Sequence, residues 1–149
     1  SMHGSVMIFL AVVPLATAGF GGYLVPLQIG ARGLAFPRVS VAGYAIYLAA
    51  GLLMLVSFVL PGGAANSGWT SYPPLAVIAS SGQTVWLVGI LMLGVSSMLG
   101  AISLVATVVA YRAPGLTLMR LPFFVWSQVM TALLLLLAQI ISEPCFDTL

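Results

Sequence analysis

The chain has 149 residues, a formal net charge of +2 and an apolar fraction of 62%. Soluble domains carry roughly 25% charged residues to cover a water-facing surface, whereas here the figure is 4%, which excludes a soluble globular protein. The charge is too small and too scattered for a nucleic-acid partner, and a mean hydropathy of +1.21 makes lipid or other membrane helices the solvent.

A hydrocarbon core of about 30 Å takes about 20 apolar helical residues to cross. Four stretches qualify, at about residues 3–23, 39–60, 84–111 and 123–141. Lipid leaves no partner for an unpaired backbone, so these stretches predict helices, and their lack of alternation argues against a barrel. The fold class is therefore all-α, an integral membrane bundle of four transmembrane helices.

The first stretch opens on His3 and carries Pro14 at its middle, where a kink is expected. Ser-Met-His-Gly lacks the basic leader and cleavage site of a secretory signal. The chain thus begins directly on a spanning segment, as a sequence cut at this end would. Residues 25–38 follow as a connection bracketed by Pro26 and Pro37. The second stretch leads into residues 61–74, a loop without a charge that holds Trp69 and Tyr72. Both aromatics suit a membrane-interface belt. The third stretch contains Gly94, Ser96, Ser97 and Gly100, and small residues of this kind let membrane helices approach closely. Residues 112–122 connect it to the fourth, beyond which a tail at 139–149 contains the single cysteine, Cys145. One thiol allows neither a disulfide framework nor a thiolate metal site.

All four basic residues, Arg32, Arg38, Arg112 and Arg120, fall in the first and third connections. The positive-inside rule places those loops in the cytoplasm or matrix, and His3, the Trp69 loop and the C-terminus on the outer side.

One His, one Cys, two acids and no Lys leave no triad, carboxylate pair or metal-ligand set within the chain. Any chemistry comes from a cofactor or from further protein. His3 is the single candidate ligand, since a neutral imidazole in an apolar bundle can bind haem iron. A solvated terminal histidine is the plainer alternative.

A resemblance shifts the weight toward the ligand. His3-Gly-Ser-Val-Met-Ile-Phe9 resembles the start of the second transmembrane helix in subunit I of haem–copper oxidases. Gly19-Phe-Gly-Gly-Tyr-Leu-Val-Pro-Leu27, Ile29-Gly-Ala-Arg-Gly-Leu-Ala-Phe-Pro-Arg38 and Gly68-Trp-Thr-Ser-Tyr-Pro-Pro-Leu75 are similar to further motifs of that family, in order. Gly94-Val-Ser-Ser-Met-Leu-Gly-Ala-Ile102, Arg112-Ala-Pro-Gly-Leu-Thr-Leu-Met119 and Pro122-Phe-Phe-Val-Trp126 follow in the same order and continue the likeness to about residue 138, with residues 139–149 diverging. The four helices would then be family helices two to five, a sector of a larger, twelve-helix-type subunit.

The resemblance implies that His3 is one of two axial ligands of a low-spin haem, of a or b type, its partner lying on a later helix. It places Trp69 near the haem propionates. The copper site and the oxygen-binding haem ligand belong to helices outside this sequence, so the chain alone would not reduce oxygen. The implied partners are the remaining helices of subunit I, subunits II and III, lipid, and cytochrome c or a quinol as electron donor. The setting would be a bacterial or mitochondrial inner membrane.

The departures from the family are as specific as the matches. Gly33 stands where proton-pumping members have an acid that admits protons from the cytoplasmic side. Gly22, Ser40 and Ser103 stand where they have Asn. A proton route needs polar groups to hold water in an apolar bundle, so this route is expected to be lost. Two other readings remain at this point: a divergent, non-catalytic paralogue that scaffolds the membrane without a cofactor, and a four-helix transporter. The transporter is the weaker of the two, because no intramembrane charge marks a substrate path.

Overall fold

The computed structural model describes residues 2–65, 78 and 81–147, with side chains through residue 141. Four long helices account for most of them: α1, Met2–Ile29; α2, Pro37–Val56; α3, Ser81–Ala110; and α4, Phe123–Asp147. Among the described residues there is no strand. Each helix is apolar and long enough to cross a membrane, α4 over Phe123–Ile141, and the protein is a multi-pass, all-α membrane bundle.

Their ends differ from the sequence expectation for physical reasons. The first helix, expected to stop near Tyr23, continues through Pro26 to Ile29. Breaking it at Pro26 would strand carbonyls in an apolar setting, and membrane helices tolerate such prolines. Termination comes at Gly30, whose φ of 74° is the left-handed conformation that glycine adopts without strain. The N–H groups of Gly30 and Ala31 both donate to Pro26 O, capping the last turn. α2 starts at Pro37, where the absent N–H costs nothing in the first turn. α4 runs past the expected limit at residue 141 to Asp147, through the tail that diverges from the family motifs.

Around Pro14, the helix widens. Met7–Val12 and Leu15–Gly21 are π-helical, flanking the proline on both sides. Proline removes one ladder donor and crowds the preceding turn. A wider turn spreads that disturbance over several residues.

α3 is the central helix. In its most apolar stretch 28% of residues are buried, against 11%, 17% and 11% in α1, α2 and α4. At its C-terminal half, Ala101, Leu104 and Val108 pack with Val25 and Ile29 of α1 and with Val125 and Ala132 of α4. At its N-terminal end, fully buried Trp86 packs with Met54 of α2, Ala65, and Met2 and Leu10 of α1. α2 lies against α3 so closely that a Cβ on Gly89 would stand 2.9 Å from Met54 Cγ and 3.4 Å from Ala50 O. The Ser96 hydroxyl bridges the same pair by donating to Gly43 O at 2.6 Å.

α4 is seated by two glutamines, three turns apart. A Cβ on Gly21 of α1 would meet Gln128 Oε1 at 2.9 Å, and a Cβ on Gly94 of α3 would meet Gln139 Oε1 at 2.6 Å. Each glycine is thus a notch that admits an amide from α4.

Candidate functional site

His3 lies in the first turn of α1 and is exposed. A Cβ added to the adjacent Gly4 would have nothing within 4 Å. Below it Met7, Ile8, Ala11, Val12 and Leu15 are also exposed, forming an apolar wall without a covering helix among the described residues. The arrangement suits a large flat apolar group: one nitrogen donor at the edge, a glycine that leaves room beside it, and aliphatic side chains along the plane. It supplies one ligand only. Among the described residues no cluster of three or more His, Cys, Asp or Glu is present, so a metal ion held by these residues alone is not what the site offers.

A second polar constellation sits at the opposite end of the bundle, where α1 turns into α2. The Ala113 N–H donates to Ile29 O at 2.9 Å, joining the α1–α2 and α3–α4 connections. This brings exposed Arg32, Arg38 and Arg120 and the partly buried Arg112 to one end. Arg112 also lines the shallow groove formed by residues 109–118, at the far end from His3. The Trp126 indole N–H holds that connection in place by donating to Leu118 O at 3.0 Å.

Inside this end, hydroxyls run along the α2–α3 contact. Ser40 Oγ and Ser103 Oγ lie 2.9 Å apart. Ser40 Oγ also has Phe36 O within 3.2 Å. One turn below Ser103, Thr107 Oγ1 donates to Ser103 O at 2.6 Å and accepts from the Ala35 N–H at 2.9 Å. Ser103 and Thr107 are fully buried. Buried hydroxyls need partners, and these find them in one another and in the loop backbone. Gly33 is different: it is exposed, and a Cβ there would meet nothing within 4 Å. Gly22 is equally open. The residues that differ from the family motif therefore fall into two kinds, two glycines that leave space and two serines that bond to each other.

Trp69 and Tyr72 lie outside the described residues. Three polar side chains within the spans did not stand out in the sequence. Thr107 ties the first connection to α3, Tyr47 of α2 donates its hydroxyl to Leu10 O of α1, and Gln128 Nε2 lies 3.5 Å from Ala16 O. The signal for all three was a hydrogen-bonding group deep in an apolar run, where it must find a partner.

Comparison with known proteins agrees with the motif likeness. Residues 1–143 match the family model described as cytochrome C and quinol oxidase polypeptide I. The chain is 45% identical over 137 residues to cytochrome c oxidase subunit 1 of Thermostichus vulcanus, covering 91% of this chain and 24% of that protein. Against the probable cytochrome c oxidase subunit 1-beta of Nocardia farcinica it is 40% identical over 141 residues, 93% of this chain and 24% of the relative. The cytochrome c oxidase subunit 1 of Corynebacterium efficiens is 42% identical over 140 residues, with 92% and 24% covered. The chain thus spans about a quarter of the length of the curated relatives it matches.

Proposed function

The chain belongs to the cytochrome c and quinol oxidase polypeptide I family, and from that premise we propose that it is the sector of a haem–copper oxidase subunit I that holds the low-spin haem, with His3 as one axial ligand. The observation that carries this is His3 itself, exposed at the outer end of α1 above an uncovered apolar wall with open space at Gly4. When bound, the haem supplies one-electron storage between the donor and the oxygen-reducing centre. The chain's own contribution is to hold one imidazole nitrogen at the edge of a dry face, with the aliphatic wall excluding water from the macrocycle. Trp69 is assigned to the propionate side, where an indole N–H can donate to a carboxylate.

The remaining helices of subunit I would supply the second haem ligand, the copper site and the oxygen-binding haem. Subunits II and III, lipid, and cytochrome c or a quinol would be the partners. The four arginines gathered at one end of the bundle favour placing that end on the cytoplasmic or matrix side of an inner membrane, with His3 outermost.

The acid-gated proton route is, in the same reading, lost. Gly33 offers no carboxyl group. Further in, the Ser40 and Ser103 hydroxyls lie against each other, and Ser40 Oγ also has Phe36 O within 3.2 Å.

The test of the haem assignment is a visible-region spectrum of the protein isolated from membranes, before and after His3→Ala. Loss of the low-spin haem bands with the helical circular dichroism retained is the expected result. Isolation without haem in the unmutated protein would reject the assignment and favour a cofactor-free membrane scaffold.

A further inference from the structure

Leu10 O is the carbonyl that an α-helical N–H at residue 14 would serve, and residue 14 is proline, which has none. The Tyr47 hydroxyl, on the neighbouring α2, donates to Leu10 O at 2.5 Å. Tyr47 stands ten residues beyond Pro37, roughly 15 Å along the helix and so near the middle of a core about 30 Å thick. Water is not available there to satisfy either group. A phenol left without a partner in this setting would carry a desolvation cost, and the bond to Leu10 O removes it.

The bond crosses from α2 to α1 within the π-helical stretch Met7–Val12. Below Pro14, in the second π-helical stretch, Gln128 of α4 reaches Ala16 O at 3.5 Å. The widened part of α1 is therefore met by one side chain from each of two neighbours. Tyr47 makes the tighter contact, and it is the one on the His3 side of the proline. Its ring is backed by Tyr44, with centroids 6.3 Å apart and planes inclined by 23°.

We propose that Tyr47 is a positioning residue: its hydroxyl adds a side-chain donor at Leu10 O, beside the gap that Pro14 leaves in the backbone ladder, and so fixes the direction in which the outer half of α1, with His3, leaves the proline. The functional meaning of that direction rests on reading His3 as a haem ligand. The hydrogen-bond relay itself does not.

A cycle of variants in the membrane-isolated protein tests it. Tyr47→Phe keeps the ring and removes the donor. Pro14→Ala gives residue 14 its own N–H. Nitroxides at the exposed positions Ile8 and Val41 report the direction of the outer half of α1 against α2 by electron–electron distance. Tyr47→Phe should broaden that distance distribution and shorten the thermal half-life roughly ten-fold, and should do neither in the Pro14→Ala background. In haem-containing protein it should also shift the low-spin haem g values. An unchanged distance distribution, or a Tyr47→Phe effect of equal size with and without Pro14, would overturn the proposal. If distances respond as expected but the unmutated protein contains no haem, the His3 assignment fails and the relay stands.

Discussion

Ser40 Oγ of α2 and Ser103 Oγ of α3 face each other at 2.9 Å, so a pair of side chains near the arginine-bearing end of the bundle hydrogen-bonds to itself across the helix contact. A proton route through this region would have to open that pair. Gly33 is exposed, and a Cβ at that position would meet no atom within 4 Å, so Gly33→Asp should fold normally. The expected outcome is unchanged proton uptake, measured by pH-indicator dye in vesicles containing the complete oxidase. A large gain would mean that the interior of the route is intact, and that the serine pair is no barrier.

Thr107 links Ala35 of the first connection to α3 through a fully buried hydroxyl. Thr107→Val keeps the shape but leaves the Ala35 N–H without its acceptor, at a cost of about 1–3 kcal/mol. Thr107→Ser retains the oxygen and should fall well short of that loss. Thermal unfolding in detergent separates the two, and equal effects would show that packing, not the hydrogen bond, fixes the loop.

Gly30 ends α1 with a φ of 74°, and a Cβ there would lie 3.3 Å from Ala113 Cβ. Gly30→Ala should destabilise the arginine-bearing end by about 1–2 kcal/mol, from left-handed backbone strain plus the crowding. Gly33→Ala, three residues on with open space around it, is the control and should leave the melting temperature where it was. A Gly30→Ala protein that melts with the control would remove the cap from the account of how α1 stops.

The four spans were legible because hydropathy and length alone decide what crosses a bilayer. Their ends were less so. Pro26 reads as a breaker in water, yet in an apolar bundle the helix continues to the first residue that can turn left-handed, Gly30. Pro14 announced a disturbance in α1, but neither the π-helical turns on both sides of it nor the Tyr47 hydroxyl that meets Leu10 O could be read from local sequence. That contact joins residues 37 positions apart, and only the packing of α2 on α1 brings them together. His3 could be singled out because it is the single histidine and opens a motif. The open wall beneath it depends on which faces of α1 the other helices leave uncovered, which is a property of the bundle.

The glycine notches of α4 have a mechanical consequence. Gln128 and Gln139 enter Gly21 on one neighbour and Gly94 on another, so the helix is keyed at two heights and against two different partners. Sliding it by one turn, about 5.4 Å, would drive both amides out of their recesses at once and into side chains or hydrocarbon. Piston and screw motions of α4 are thereby opposed while α1 and α3 hold still. A rearrangement that keeps both contacts carries the three helices together, as one slab.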